Sequence, residues 1–265
     1  MFKIGPMAKS RIVFIHGMFV TNQCWTDWKN YFEQRGYECF APPWPLKDAS
    51  PEELRKRHPD IEGEGRVQLN DIVSSFEKFI TSLGGDTILI GHSMGGLVTQ
   101  ILLNKGIGSC GVVIDSAPPQ GVFTTRFSFL KANWPVVNPF SNSRMPSLWT
   151  KTQFRYSFAA HLQGAELDAA YRNVVPQSKL VPRDSLTSDA RIDYAKKKAP
   201  LLFIAGEKDN IIPPSLNKTN CRKYRNSGSR TDFREFPGRS HYLINDKGWE
   251  EIAAYISKWL ADIKK

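Results

Sequence analysis

Short, unbroken apolar runs alternate along this chain with longer stretches in which apolar residues recur every three or four positions. Arg11-Ile12-Val13-Phe14-Ile15, Thr87-Ile88-Leu89-Ile90, Val112-Val113-Ile114 and Leu201-Leu202-Phe203-Ile204 show no polar face. Such runs suit strands of a parallel sheet covered on both sides. Glu38 to Ala41 and Phe233 to Phe236 read as two more strands. Leu69, Ile72, Val73, Phe76, Phe79, Ile80 and Leu83 keep helical spacing up to a Gly84-Gly85 stop. Trp25 to Arg35 and Leu97 to Asn104 read as shorter helices. Trp249, Ile252, Ala253, Ile256, Trp259, Leu260 and Ile263 line one face of a terminal helix. The polar stretch from Lys47 to Arg66 reads as a long connection. The whole pattern predicts an α/β fold with a doubly wound, mostly parallel sheet.

The alternation breaks once, between about Gln120 and Lys198. That segment is rich in Phe, Trp and Pro, and it is too long for a simple strand-to-helix loop. It divides the chain into a core, residues 1–119 and 199–265, and an inserted helical cap, residues 120–198. Because the insert interrupts the chain at the sheet's carboxyl edge, its aromatic side chains, Trp134 and Phe158 among them, are expected to wall an apolar pocket there.

Gly91-His92-Ser93-Met94-Gly95 fits G-x-S-x-G, with a strand directly before it and a helix directly after. A sharp strand-to-helix turn would hold Ser93 in a strained conformation and project its hydroxyl. Side chains two positions to either side would collide in such a turn, and Gly91 and Gly95 meet that need. Ser93 is therefore the candidate nucleophile.

On these features the chain resembles the α/β-hydrolase family from Arg11 to the C-terminus, most weakly through the insert. The family orders its catalytic residues Ser, then Asp or Glu, then His. Gly206-Glu207-Lys208-Asp209, after an apolar strand, looks like the family's acid turn. Pro237-Gly238-Arg239-Ser240-His241, before the final helix, matches the place of its histidine. The resemblance thus implies a triad of Ser93, Asp209 and His241. Asp115 also ends a strand and stands as the rival acid, with a turn-tying role as its other reading. Backbone N–H groups of Met18 and Met94 would form the oxyanion hole. His16 would support the loop after the first strand, and His92 would pack beneath the elbow. His58 and His161 carry no partner pattern. A serine nucleophile separates the chain from relatives that attack with Asp, and no metal or organic cofactor is implied.

The resemblance implies a serine hydrolase acting on carboxylic esters of small to medium apolar substrates. The same triad also serves C–C hydrolysis, perhydrolysis or lyase chemistry, and the same scaffold serves as a ligand-binding receptor with vestigial catalysis. Composition narrows the remaining classes. With 41% hydrophobic residues the chain can bury a large core. No run reaches the length of a membrane span, and the opening residues show no signal-peptide pattern, so a cytoplasmic protein is the expectation. The net charge of +10 would permit nucleic-acid binding, but no nucleic-acid motif accompanies it. Twelve Lys and Arg against five Asp and Glu lie between Gln120 and Lys198, so most of the excess charge sits on the insert. Four scattered cysteines form no C-x-x-C pair and read as reduced thiols. Substrate identity and oligomeric state are not written in these patterns.

Overall fold

The computed structural model describes residues 10–263. The segment read above for a leader lies almost wholly outside them. Six strands form one sheet: β1 (Arg11–Ile15), β2 (Glu38–Phe40), β3 (Thr87–His92), β4 (Cys110–Ile114), β5 (Leu201–Gly206) and β6 (Thr231–Phe236). Their order is β2-β1-β3-β4-β5-β6, and every pairing is parallel. The chain moves outward from β1 to β2, then returns to place β3 on the other side of β1. This reversal opens a crevice at the carboxyl ends of β1 and β3, where ligands bind in open α/β sheets.

Side chains alternate between the two faces of each strand. Ile12, Phe14, Ile88, Ile90, Val112, Ile114, Leu202 and Ile204 point to one side. There they meet α1 (Thr26–Glu33) and α10 (Trp249–Asp262) through Trp28, Phe32, Ile252, Ile256 and Leu260. Val13, Ile15, Leu89, Val113, Leu201 and Phe203 point to the other side, under α3 (Leu69–Leu83), α4 (Met94–Asn104) and α9 (Pro214–Lys223). The periodic positions of α3 and α10 face inward as the spacing predicts.

The predicted connection from Lys47 to Arg66 is more structured than its polarity suggests. It contains α2 (Pro51–Lys56), started by a capping box in which Ser50 and Glu53 satisfy each other's backbone N–H. Lys47 and Glu64 in this stretch are buried and paired at 3.1 Å. The Lys47 ammonium also donates to the Pro176 carbonyl, and Glu64 accepts from the Ser178 N–H at 2.8 Å.

Between β4 and β5 lie α5 (Phe127–Val137), α6 (Lys151–Ser157), α7 (Gly164–Arg172) and α8 (Leu180–Asp184). Apolar residues of this segment, including Val136, Trp149, Phe154, Phe158 and Val181, belong to the same cluster as the β1 and β3 face. No described helix is long and apolar enough to cross a membrane.

Removing one partner of a buried ion pair leaves the other charged and unpaired, at about 3–5 kcal/mol. Lys47→Met should therefore lower stability by that amount in urea unfolding. Adding Glu64→Leu should recover most of it. A single variant as stable as the parent would show that the pair holds nothing together.

Candidate active site

The crevice between β1 and β3 is built by three close backbone approaches. Ser93 joins β3 to α4 with φ 56° and ψ −121°, a conformation that side chains rarely adopt. A Cβ at Gly95 would lie 2.1 Å from the Ile15 carbonyl oxygen, and one at Gly91 would lie 2.2 Å from that of Gly95. A Cβ at Gly17 would press to 2.8 Å against Ser93 Cβ. Only glycine fits these three positions, so the turn and the loop after β1 interlock. The Ser93 N–H donates to the Ile114 carbonyl and its own carbonyl accepts from Ala117, at 2.9 Å each.

Ser93, Met18 and Met94 line one cavity of about 300 Å³. Its remaining wall is largely apolar, with Phe129, Val136, Trp149, Phe158, Ile211 and Ile212 among its residues. Met94 opens α4, so its N–H has no acceptor inside the helix. The loop carrying Met18 is braced from the segment between β4 and β5: Phe19 stacks on Trp149 with ring centroids 3.9 Å apart, and its carbonyl accepts from the Val175 N–H. Phe158 lines the cavity as expected. Trp134 does not; it lies on the outward side of α5, because the inward side is filled by Phe129, Ala132, Asn133 and Val136.

Asp209 and His241 meet behind this cavity. Asp209 follows β5 and His241 follows β6, and both are buried. His241 Nδ1 donates to Asp209 Oδ2 at 2.6 Å. The other carboxylate oxygen accepts N–H groups from Ile211 and Ile212, each at 2.8 Å. His241 Nε2 is buried without a hydrogen-bond partner. The Phe158 ring packs edge-on against the imidazole at 4.5 Å.

Asp115 comes to the same place from β4. Its Oδ2 is 4.0 Å from His241 Nδ1, and its Oδ1 accepts the Gly206 N–H at 2.8 Å. Asp209 therefore makes the short contact, and Asp115 ties the ends of β4 and β5 together. Burial first, and then the neighbouring Asp209, push the Asp115 carboxyl well above the usual carboxylate range. Burial pushes Asp209 the same way, opposed by the N–H groups of Ile212 and Ile211 and by a hydrogen bond with Asp115.

Burial drives His241 down to about 3, so its resting form is the neutral imidazole. The His92 ring lies 4.6 Å from that of His241, and its Nε2 donates to the His241 carbonyl at 3.0 Å. Ligand atoms of His92, Asp115 and His241 lie within 4.8 Å of one another. Asp209 already holds His241 Nδ1, and a carbonyl already holds His92 Nε2. His16 donates through Nδ1 to the Gly17 carbonyl, accepts at Nε2 from Trp44 N–H and stacks on the Trp44 ring. It braces the loop, as expected. His161 has partners that the sequence does not announce: its ring contacts Ser240 Oγ at 3.3 Å and Asp246 at 3.1 Å, on the segment carrying His241.

Beneath α4, Gln100 donates to Ser116 Oγ at 2.8 Å and accepts from Asn220 and Tyr224. Asn217 accepts the Ser116 N–H. These buried amides lock the turn after β4 to α9, and no sequence motif marks them.

The fold and the arrangement around Ser93 define a class of hydrolase scaffold, and comparison with known proteins gives the same class. The model of the Alpha/beta hydrolase family matches residues 12–255, and the chain belongs to that family. No curated protein matches it in sequence. Among solved structures it is similar to methylketone synthase I of tomato, at 14% identity and TM-score 0.68, covering 98% of this chain and 100% of that one. It is also similar to a monoacylglycerol lipase of Paleococcus ferrophilus, at 18% identity and TM-score 0.67 over 97% and 96% of the two chains. An extracellular hydrolase from a Paenibacillus species aligns at 20% identity and TM-score 0.67 over 94% and 98%. At these identities the likeness shows the shared fold.

His16 is held to about 3 in the folded chain, chiefly by burial, against 6.5 when unfolded. Its neutral burial therefore stabilises the fold above pH 6.5, and that contribution is lost as the pH falls towards 3. One such group gives a slope of up to about 1.4 kcal/mol per pH unit. Unfolding free energies measured from pH 6.5 to 4 should fall less steeply for His16→Gln than for the parent. Parallel slopes would show that His16 takes up its proton without unfolding the chain.

Proposed function

We propose that the protein is a serine hydrolase that cleaves carboxylic esters carrying small or medium apolar groups. The observation that carries this reading is the strained Ser93 at an apolar cavity, with a neutral imidazole anchored to a carboxylate behind it. A serine hydroxyl is too weak an acid to attack an acyl carbon unaided, and His241 Nε2 is the nitrogen that Asp209 leaves free to take its proton. Ser93 Oγ bonds to the carbonyl carbon as that proton moves to His241. The carbonyl oxygen gains the negative charge and receives the N–H groups of Met18 and Met94. The ester C–O bond then breaks, and His241 returns the proton to the departing alcohol. Water repeats the sequence on the acyl-enzyme and releases the acid. Asp209 keeps the imidazole in the Nδ1–H tautomer and stabilises the imidazolium.

In this reading residues 120–198 act as the cap that shapes the acyl site. Phe129, Trp149 and Phe158 supply its apolar wall, and none of the steps uses a cofactor.

A fluorophosphonate label should modify the parent and fail on Ser93→Ala at unchanged stability. Ser93→Gly should also fail to label but unfold at higher temperature, because glycine relieves backbone strain of order 1–3 kcal/mol. Labelling of Ser93→Ala would sink the assignment. Parent protein that labels but turns over no p-nitrophenyl ester would point to other triad chemistry.

Asp209→Asn should lose about 10⁴ in kcat, the scale of losing the correct tautomer. Asp115→Asn should lose far less. Equal losses would mean that the two acids share the role. In a p-nitrophenyl ester series, Phe129→Ala should shift preference to longer acyl chains by about fourfold per methylene. Trp134→Ala, on the outward side, should leave the profile unchanged.

A further inference from the structure

Helix α5 is apolar on both sides. Phe129, Ala132, Val136 and Val137 face the interior, while Phe127, Leu130 and Trp134 are exposed along the opposite side at i, i+3 and i+7. Phe127 is 75% exposed and Trp134 53%. Phe123 before the helix, Phe140 just after it and Leu186 after α8 are exposed as well, Phe140 at 91%. A helix that is hydrophobic all round is normally buried all round. Phe123, Leu130 and Leu186 belong both to this exposed set and to the lining of the cavity that holds Ser93. The apolar surface is therefore continuous with the cavity mouth.

Charge identifies what covers it. From Ser116 to Ala165 the chain has no Asp or Glu, while Arg126, Lys131, Arg144, Lys151 and Arg155 fall in that stretch. Arg126 immediately precedes α5, and Lys131 lies one turn beyond Phe127 on the outward side. The exposed carboxylate nearest in sequence to the set is Asp189, three residues past Leu186. Exposed Trp, Phe and Leu beside Lys and Arg are the composition of a helix that lies in a lipid interface. A second copy of this chain would set cations against cations on a protein of net charge +10. A rigid protein partner would stopper the cavity mouth, whereas a lipid layer lets apolar molecules pass into it.

We propose that the outward side of α5, with Phe123, Phe140 and Leu186 around it, docks the protein on an anionic lipid surface. The docked side chains sink to the level of the acyl chains, and Arg126 and Lys131 meet the headgroups. The contact is peripheral and reversible, and it does not depend on how Ser93 is used.

Co-sedimentation with vesicles tests it on the full chain. The protein should pellet with vesicles of equal parts phosphatidylcholine and phosphatidylglycerol, much less with phosphatidylcholine alone, and less as salt is raised. The triple variant Phe127→Ser, Trp134→Ser, Phe140→Ser should bind at least about tenfold more weakly. Its melting temperature and its fluorophosphonate labelling should match the parent. Arg126→Gln and Lys131→Gln should each weaken binding about fivefold. Trp134→Phe should still pellet but lose part of the blue shift in tryptophan fluorescence that vesicles induce in the parent. No pelleting with anionic vesicles, equal pelleting with neutral ones, or full binding by the triple variant would each overturn the proposal. So would a concentration-dependent dimer of the parent that the triple variant abolishes, since the surface would then belong to a second copy. None of these readings requires turnover, so failure of the esterase reading is scored separately.

Discussion

The backbone of the turn after β3 comes nearer to its neighbours than any side chain at Gly91, Gly95 or Gly17 would permit. That approach is the constraint from which the site follows. It brings the first turn of α4 against the end of β1, and the chain can make so abrupt a turn only with Ser93 in a disfavoured conformation. Ser93, Met94 and Met18 thereby line the same cavity. The position of the crevice is a consequence of strand order, since β1 and β3 are the neighbours between which the winding reverses.

Burial does the electrostatic work around His241. An imidazole and two carboxyl groups from three successive strands converge where almost no water remains. Two adjacent carboxylates cannot both stay ionised in such a place. The asymmetry comes from their backbone donors: Asp209 accepts two N–H groups and the imidazole, whereas Asp115 accepts one N–H and leaves Oδ2 without a partner. These donors favour the charge on the carboxylate that touches the histidine. Through the Gly206 N–H, Asp115 ties together the two strand ends that carry the acids.

How much of this was legible depends on whether the physics is local. Strands β1, β3, β4 and β5 are visible because a strand covered on both faces must be apolar at every position. Helices α3 and α10 are visible because each buries a single stripe. Ser93, Asp209 and His241, proposed above as the triad, stand out because each sits at a junction with a distinctive short pattern. Polar residues that are buried in partnership carry no such mark. Lys47 and Glu64 look like surface residues until Pro176 and Ser178 arrive from more than a hundred positions away. Gln100 and Asn217 are equally silent, because their partners lie on α9 and in the turn after β4. The capping box of Ser50 and Glu53 was a readable signal for α2 within a stretch whose polarity suggested a loop. Trp134 shows the converse limit: aromatic content marks an apolar environment but does not say which side of a helix faces it.

The helices between β4 and β5 do more than cover the sheet. Their inward residues share one apolar cluster with the sheet face, and Trp149 and Val175 hold Phe19, next to Met18. Phe158 touches both the cavity and the His241 ring, and its carbonyl accepts the Tyr242 N–H at 3.0 Å. A change of packing in this segment would therefore reach both the loop after β1 and the histidine. Helix α5 stands apart because it has apolar surface left over after its inward side is filled. Folding alone would favour polar residues at Phe127 and Trp134, since burial against the sheet uses neither. Their exposure, next to Leu130 at the cavity mouth, is instead intelligible if the layer that completes α5 comes from outside the chain.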